Sequence, residues 1–123
     1  MQPSATALLL ALILAPLPAF ANAETTADEK AGAVLFRDKG CAHCHGVAGE
    51  GSKKAPSLIG IGKDKAWSPA RITSQILNGG QKMPPFGDSV TDAEAAQLVA
   101  YLRAKHKPAP PPASGAPADT PAR

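Results

Sequence analysis

Cys41-Ala42-His43-Cys44-His45 decides how the rest of this 123-residue chain is read. The five residues spell C-x-x-C-H, the attachment signature of a c-type haem. In it two thiols add across the vinyl groups of a porphyrin and the adjacent histidine ligates the iron. Two intervening residues let a single turn of chain present both sulfurs along one edge of the ring. The residue after Cys44 then points its imidazole beneath that ring. The sequence contains no other cysteine. Other chemistries also use such pairs. A dithiol redox motif normally accompanies a βαβ pattern, which is not legible here. A closed zinc site takes four ligands, and no second Cys or His pair follows at suitable spacing. A structural disulfide is open to any exported pair of cysteines.

Upstream of the motif, Thr26-Ala27-Asp28-Glu29 reads as a capping box that opens a helix. Ala27, Ala31, Val34 and Leu35 recur on one face of it, and Gly40 is the expected stop. Further back the composition changes. Ala7 to Ala15 is an apolar run, broken by Pro16 and Pro18 and followed by Ala21-Asn22-Ala23. This is the anatomy of a secretory signal peptide, and the run is too short to span a bilayer. No Lys or Arg precedes it, a departure from the usual form. Cleavage is expected after Ala23, and export suits a chain whose thiols must meet haem outside the cytoplasm.

Downstream, residues 46–66 hold no sustained period. Gly46, Gly49, Gly51, Gly60, Gly62 and Pro56 mark a loop whose backbone runs close to another surface. Its apolar content is Pro56-Ser57-Leu58-Ile59, which a haem face can cover. Ser68-Pro69 starts a second helix with a buried stripe of Ile72, Ile76 and Leu77, ended by Asn78-Gly79-Gly80. Gln81-Lys82-Met83-Pro84-Pro85-Phe86 cannot be regular structure, because proline lacks a donor and restricts its predecessor. Thr91-Asp92-Ala93-Glu94 is another capping box. It opens a last helix through about Lys105 with Ala95, Leu98, Tyr101 and Leu102 inward. The tail from Pro108 is Pro/Ala-rich and reads as flexible.

After signal removal Met83 is the only methionine. A thioether suits haem iron, and a Met/His pair raises the reduction potential. Met83 sits on a Gly/Pro loop rather than a helix face, with Pro84 and Pro85 fixing the backbone that presents it. His106 competes but lies between Lys105 and Lys107 at a helix end, and His43 is inside the attachment motif. An iron-bound imidazole usually donates its other N–H to a fixed acceptor, and the carbonyl of Pro56 is the candidate.

All 13 Lys and Arg and all 10 Asp and Glu follow Ala23, so the net charge of +3 belongs to the mature part. Two haem propionates bring it near neutrality, and no basic block points to nucleic acid. Lys53, Lys54, Lys63, Lys65, Arg71 and Lys82 gather in the middle and offer steering of an acidic redox partner, against the reading of an ordinary solvated surface.

From about Ala27 to Ala104 the chain resembles the class I cytochromes c, especially small bacterial periplasmic ones. The resemblance is carried by Gly32 through Phe36, CAHCHGVAGEG, Pro56-Ser57-Leu58, Asn78-Gly79, Met83-Pro84 and Tyr101-Leu102. Ala55, where relatives often carry glycine, departs from the pattern. The resemblance implies an all-α cytochrome c fold, with three main helices and Gly/Pro-rich loops wrapped around one covalent haem c. It implies first and last helices crossing where Gly32 admits Tyr101, Met83 as distal ligand, and the Pro56 carbonyl as partner of His45. Trp67 is expected to pack, or to meet a propionate as in some relatives.

The expected organisation is a signal peptide over 1–23, a haem domain over 24–107 and a flexible tail over 108–123. The expected cofactor-binding residues are Cys41, Cys44, His45, Pro56, Leu58 and Met83, with His45 and Met83 on the iron and no catalytic residue. The expected function is one-electron transfer in the periplasm between donor and acceptor proteins, not catalysis. An alternative is an electron-accepting subunit of a periplasmic dehydrogenase or oxidase complex. A third reading, a gas-binding or peroxidase-type protein, needs a vacant or labile sixth iron site. Four-helix proteins with such sites carry their haem motif near the C-terminus, whereas here it lies near the mature N-terminus.

Overall fold

The computed structural model describes residues 25–112. The expected signal peptide and the end of the tail lie outside them. Four α-helices follow in order: α1 Ala27–Asp38, the short α2 Ala42–His45, α3 Pro69–Asn78 and α4 Asp92–Arg103, with a 3₁₀ turn at Ile61–Lys63. The described residues contain no strand.

Each long helix begins where local chemistry starts it. Thr26 accepts from the Glu29 amide while Glu29 reaches back to the Thr26 amide, and Thr91 and Glu94 repeat the arrangement on α4. Ser68 caps α3 by accepting from the Arg71 amide, with Pro69 at the first helical position. Lys39, just past α1, pairs with Glu94 at 3.2 Å and so ties the end of α1 to the start of α4.

The core is built where α1 crosses α4. An added Cβ on Gly32 would lie 2.6 Å from the Tyr101 Cβ and 2.8 Å from the Gln97 carbonyl carbon. Only glycine lets the two backbones approach this closely. Phe36 then meets Tyr101 with ring centroids 5.4 Å apart, and Ala33, Ala95, Leu98 and Leu102 fill in around them. Ile72 and Ile76 bring the buried stripe of α3 against this cluster.

The α1 face differs from the one expected. Gly32, Ala33 and Phe36 are buried, whereas Ala27 is exposed and Ala31, Val34 and Leu35 are half-buried. The close approach at Gly32 fixes the rotation of the helix and turns Ala31 and Val34 outward. They face Pro108, Ala109 and Pro111 instead, because the chain doubles back after α4. The helix ends at Arg103 rather than Lys105, with Ala104 extended. Pro108 disfavours helical geometry in the residue before it, and the Arg37 guanidinium donates to the Pro111 carbonyl. The first five residues of the stretch expected to be a flexible tail, 108–112, therefore have a described course across α1.

Candidate haem site

A cavity of about 790 Å³ opens between α2, the loop from Lys54 to Asp64, α3, the 80–86 loop and α4. Cys41, Cys44, His45, Pro56, Leu58 and Met83 all line it. Six residues separated by up to 42 positions in the chain are thus brought to one space.

Helix α2 is the attachment motif. The Cys44 amide donates to the Cys41 carbonyl at 3.2 Å and the His45 amide to the same carbonyl at 3.0 Å, so one turn places both sulfurs and the imidazole. The two cysteines are not joined in a disulfide. Burial, more than any other influence, pushes the Cys41 thiol above its ordinary value. The described residues hold no cluster of three or more His, Cys, Asp or Glu side chains shaped for a metal ion, so the zinc reading finds no further ligands.

The loop after α2 is folded to deliver one carbonyl. His45 Nδ1 lies 2.9 Å from the Pro56 oxygen. The Gly51 amide donates to the His45 carbonyl at 2.6 Å, Ser52 Oγ to the Cys44 carbonyl at 2.5 Å, and the Leu58 amide to the Gly49 carbonyl at 2.7 Å. Gly51 has φ +91°, and a Cβ there would come 2.6 Å from the Ser57 nitrogen. A side chain at position 51 would push the 56–58 segment off the histidine. Glu50 stitches the same loop by accepting from the Ala48 amide at 2.8 Å, and backbone N–H groups hold its carboxyl below the usual range. Ala55, the departure from the family pattern, accepts from the Ser52 amide at 2.9 Å without disturbing this course.

Met83 is presented by a second braced loop. The Gly80 amide donates to the Met83 carbonyl at 2.8 Å, and the Phe86 and Gly87 amides donate to the Ile76 and Leu77 carbonyls at 3.0 Å each. The loop is thereby hung from the end of α3, and Met83 packs half-buried against the core. His106 is exposed beyond α4 and does not line the cavity, and neither does His43.

Apart from Trp67, the rest of the apolar wall comes from residues not singled out as haem contacts. Phe36, Ile72, Ile76, Leu98 and Leu102 supply apolar surface, together with Trp67. The inward stripes of α3 and α4 were the available signal, but a stripe alone does not distinguish core from cofactor wall. Trp67 takes the Arg71 guanidinium over its ring at 4.6 Å, and its carbonyl accepts from Arg103 at 3.1 Å. Lys54 and Lys82 stand exposed at the rim.

An apolar cavity of this volume, with two thiols and an imidazole on one turn, fits a covalently held porphyrin. Residues 27–102 match the family model described as cytochrome c oxidase, cbb3-type, subunit III. The chain belongs to the cytochrome c family. Haem c, with its iron, is the cofactor of this class I c-type cytochrome, and its role is electron transfer. Cytochrome c-555 of Methylococcus capsulatus is 31% identical over 103 residues, covering 81% of each chain. The cbb3-type cytochrome c oxidase subunit FixP of Sinorhizobium medicae is 34% identical over 86 residues, covering 58% of the cytochrome and 28% of FixP. Among solved structures, the c-type cytochrome XoxG of Methylobacterium extorquens AM1 superposes with a TM-score of 0.57 at 29% identity, over 68% of the cytochrome and 57% of XoxG. The dihydro-haem d1 dehydrogenase NirN superposes with a TM-score of 0.54 at 32% identity, over 67% of the cytochrome but 16% of NirN. The cytochrome thus spans only part of the length of several of these relatives.

Proposed function

We propose that this cytochrome is a periplasmic one-electron carrier. In this reading Cys41 and Cys44 would bear the thioether bonds, and His45 and Met83 would be the ligands of the iron. The observation that carries it is the 2.9 Å contact of His45 Nδ1 with the Pro56 oxygen, made in the cavity that Met83 also lines. Donation from Nδ1–H fixes the tautomer, leaves the Nε2 lone pair free to ligate a metal and raises its basicity. Haem c, when bound, supplies a one-electron ferrous/ferric couple.

The protein's own part is to hold geometry. Both ligand loops are pinned by backbone hydrogen bonds to helices, so little rearranges when the charge in the cavity changes. Pro56 and Leu58 would cover the haem from the His45 loop, and a soft sulfur from Met83 would raise the reduction potential relative to nitrogen-only ligation. With His45 and Met83 both serving as iron ligands, no position would remain for a substrate, and the cytochrome would transfer electrons rather than turn over a substrate. Lys54 and Lys82 at the cavity mouth are placed to steer an acidic redox partner. Residues 1–23 act as the export signal that brings the thiols to haem in the periplasm, leaving one haem domain from Glu24 to about Lys107. No helix among the described residues is long and apolar enough to cross a membrane.

Carbon monoxide tests the ligand set. Ferrous protein at neutral pH is expected to resist it, and rapid formation of a carbonyl adduct would overturn the role of Met83. A second reading, an electron-accepting subunit of a periplasmic dehydrogenase or oxidase complex, is favoured by two relatives. FixP is an oxidase subunit by name, and the NirN dehydrogenase contains a segment that superposes on this chain. Co-purification of a stoichiometric partner from native periplasm distinguishes it from the free carrier.

A further inference from the structure

Lys107 is half-buried, and neither the attachment motif nor the two ligand loops use its ammonium. Its Nζ is shielded from solvent and has no hydrogen-bond partner among the described residues. It lies 5.6 Å from the centroid of the Tyr101 ring, within the range of a cation–π contact. It also closes on the loop that carries the Pro56 carbonyl. The point where a Cβ on Gly49 would sit is 3.6 Å from Lys107 Nζ, 3.5 Å from Leu58 Cβ and 3.8 Å from Phe36 Cζ. Leu58 and Phe36 both line the haem cavity. The ammonium therefore stands one side-chain layer behind the cavity wall, on the side of the loop that orients His45.

We propose that Lys107 is a positioning residue for the redox couple, an internal cation that favours the ferrous over the ferric form and exchanges a proton with solvent as the iron changes charge. The inference rests on the one-electron reading above. A fixed positive charge one side-chain layer behind the haem cavity would repel the extra positive charge of the ferric state. Because the chain buries it away from water, that repulsion is screened less than it is for the exposed lysines of the rim. The surrounding elements carry Asp28, Glu29, Lys30, Arg37 and Asp38 on α1, Asp92, Glu94, Tyr101 and Arg103 on α4, Glu50 on the loop, and Lys105 and His106 on the same segment. None of them hydrogen-bonds to it.

Desolvation lowers the affinity of Lys107 for its proton below the ordinary lysine value. Oxidation lowers it further by repulsion, and reduction restores it. Between the two values each electron delivered by the redox partner to the ferric form draws a fraction of a proton from solvent to Nζ. The reduction potential consequently falls as pH rises through the ferric-state value and levels off above the ferrous-state one.

The test is spectroelectrochemical titration of the holoprotein from neutral to alkaline pH, for wild type, Lys107→Met, Lys107→Arg and Tyr101→Phe. At neutral pH Lys107→Met is expected to lose severalfold, up to about tenfold, of the ferrous preference, the latter equal to about 59 mV for a one-electron couple. Lys107→Arg keeps the neutral-pH value. The alkaline fall disappears in both substitutions and persists in Tyr101→Phe. Three results overturn the proposal: an unchanged potential in Lys107→Met, an equal shift in Lys107→Arg and Lys107→Met, which marks packing rather than charge, or an alkaline fall abolished only by Tyr101→Phe. The red absorption band from sulfur to iron, recorded in the same cell, separates this from a failure of ligation. A variant that loses the band reports on Met83, while one that keeps it reports on Lys107.

Discussion

Replacing Gly32 with alanine isolates the contact on which the helical frame depends. The new methyl carbon would sit 2.6 Å from the Tyr101 Cβ and 2.8 Å from the Gln97 carbonyl carbon, with the Gln97 carbonyl oxygen nearer still. Two of these three atoms are backbone, so no rotamer change relieves the overlap and α1 must move away from α4. Overpacking of a core costs about 1–3 kcal/mol, and a backbone clash belongs at the top of that range. Alanine returns about 1 kcal/mol through its better helix propensity. The net loss is then about 2 kcal/mol, which for a domain of this size lowers Tm by roughly 8–16 °C. Thermal unfolding of the oxidised holoprotein, followed by far-ultraviolet circular dichroism, measures it. A Tm within about 2 °C of wild type, less than half a kcal/mol, would mean that the helices do not cross at Gly32 as described.

Other perturbations probe the caps, the loops and the ligand. Thr91→Ala removes the acceptor for the Glu94 amide and is expected to destabilise by about 1 kcal/mol in urea unfolding, with an unchanged m-value. Glu94 is held below its ordinary 4.5 first by the Thr91 amide and then by Lys39. A carboxylate depressed in the folded state gives stability that is present above the unfolded value and lost as pH falls through the folded one. Glu94→Gln should therefore flatten the acid limb of the stability curve below about pH 4.5, lowering the neutral plateau toward an unchanged acid end. Gly51→Ala forces an unfavourable backbone angle and pushes on Ser57. It should loosen the His45–Pro56 contact, read as a shifted histidine ring resonance in the ferrous protein. Met83→Ala should lower the reduction potential, and an unchanged potential would show that another residue holds that position.

The features legible in the sequence were those that short stretches determine. C-x-x-C-H, the Thr26 and Thr91 capping boxes and the Ser68-Pro69 start are local chemistry, and the structure contains each as a helix or a helix end. The six expected cofactor residues line one cavity; the motif was legible by its C-x-x-C-H signature, and the two loops by the regular structure they cannot form. The inward face of α1 was not legible. Ala27, Ala31, Val34 and Leu35 fit a helical period, yet burial is set by the approach of Gly32 to Tyr101, a contact between residues 69 positions apart. The course of Lys107 to Pro111 was also hidden. Pro/Ala composition reads as flexible, while the groove that receives this segment, Lys30, Ala31 and Val34, exists only once α1 has been rotated by its partner. The cavity wall from Phe36, Ile72 and Leu98 was visible as apolar stripes but not as a haem surface, since core and cofactor ask the same thing of an aliphatic side chain.

The most direct measurement of the ligand set is the absorption of ferric wild-type and Met83→Ala protein at neutral pH in the far-red region. A weak sulfur-to-iron band should be present in the first and missing from the second. Absence of the band from wild type, or its survival in Met83→Ala, would contradict axial ligation by His45 and Met83.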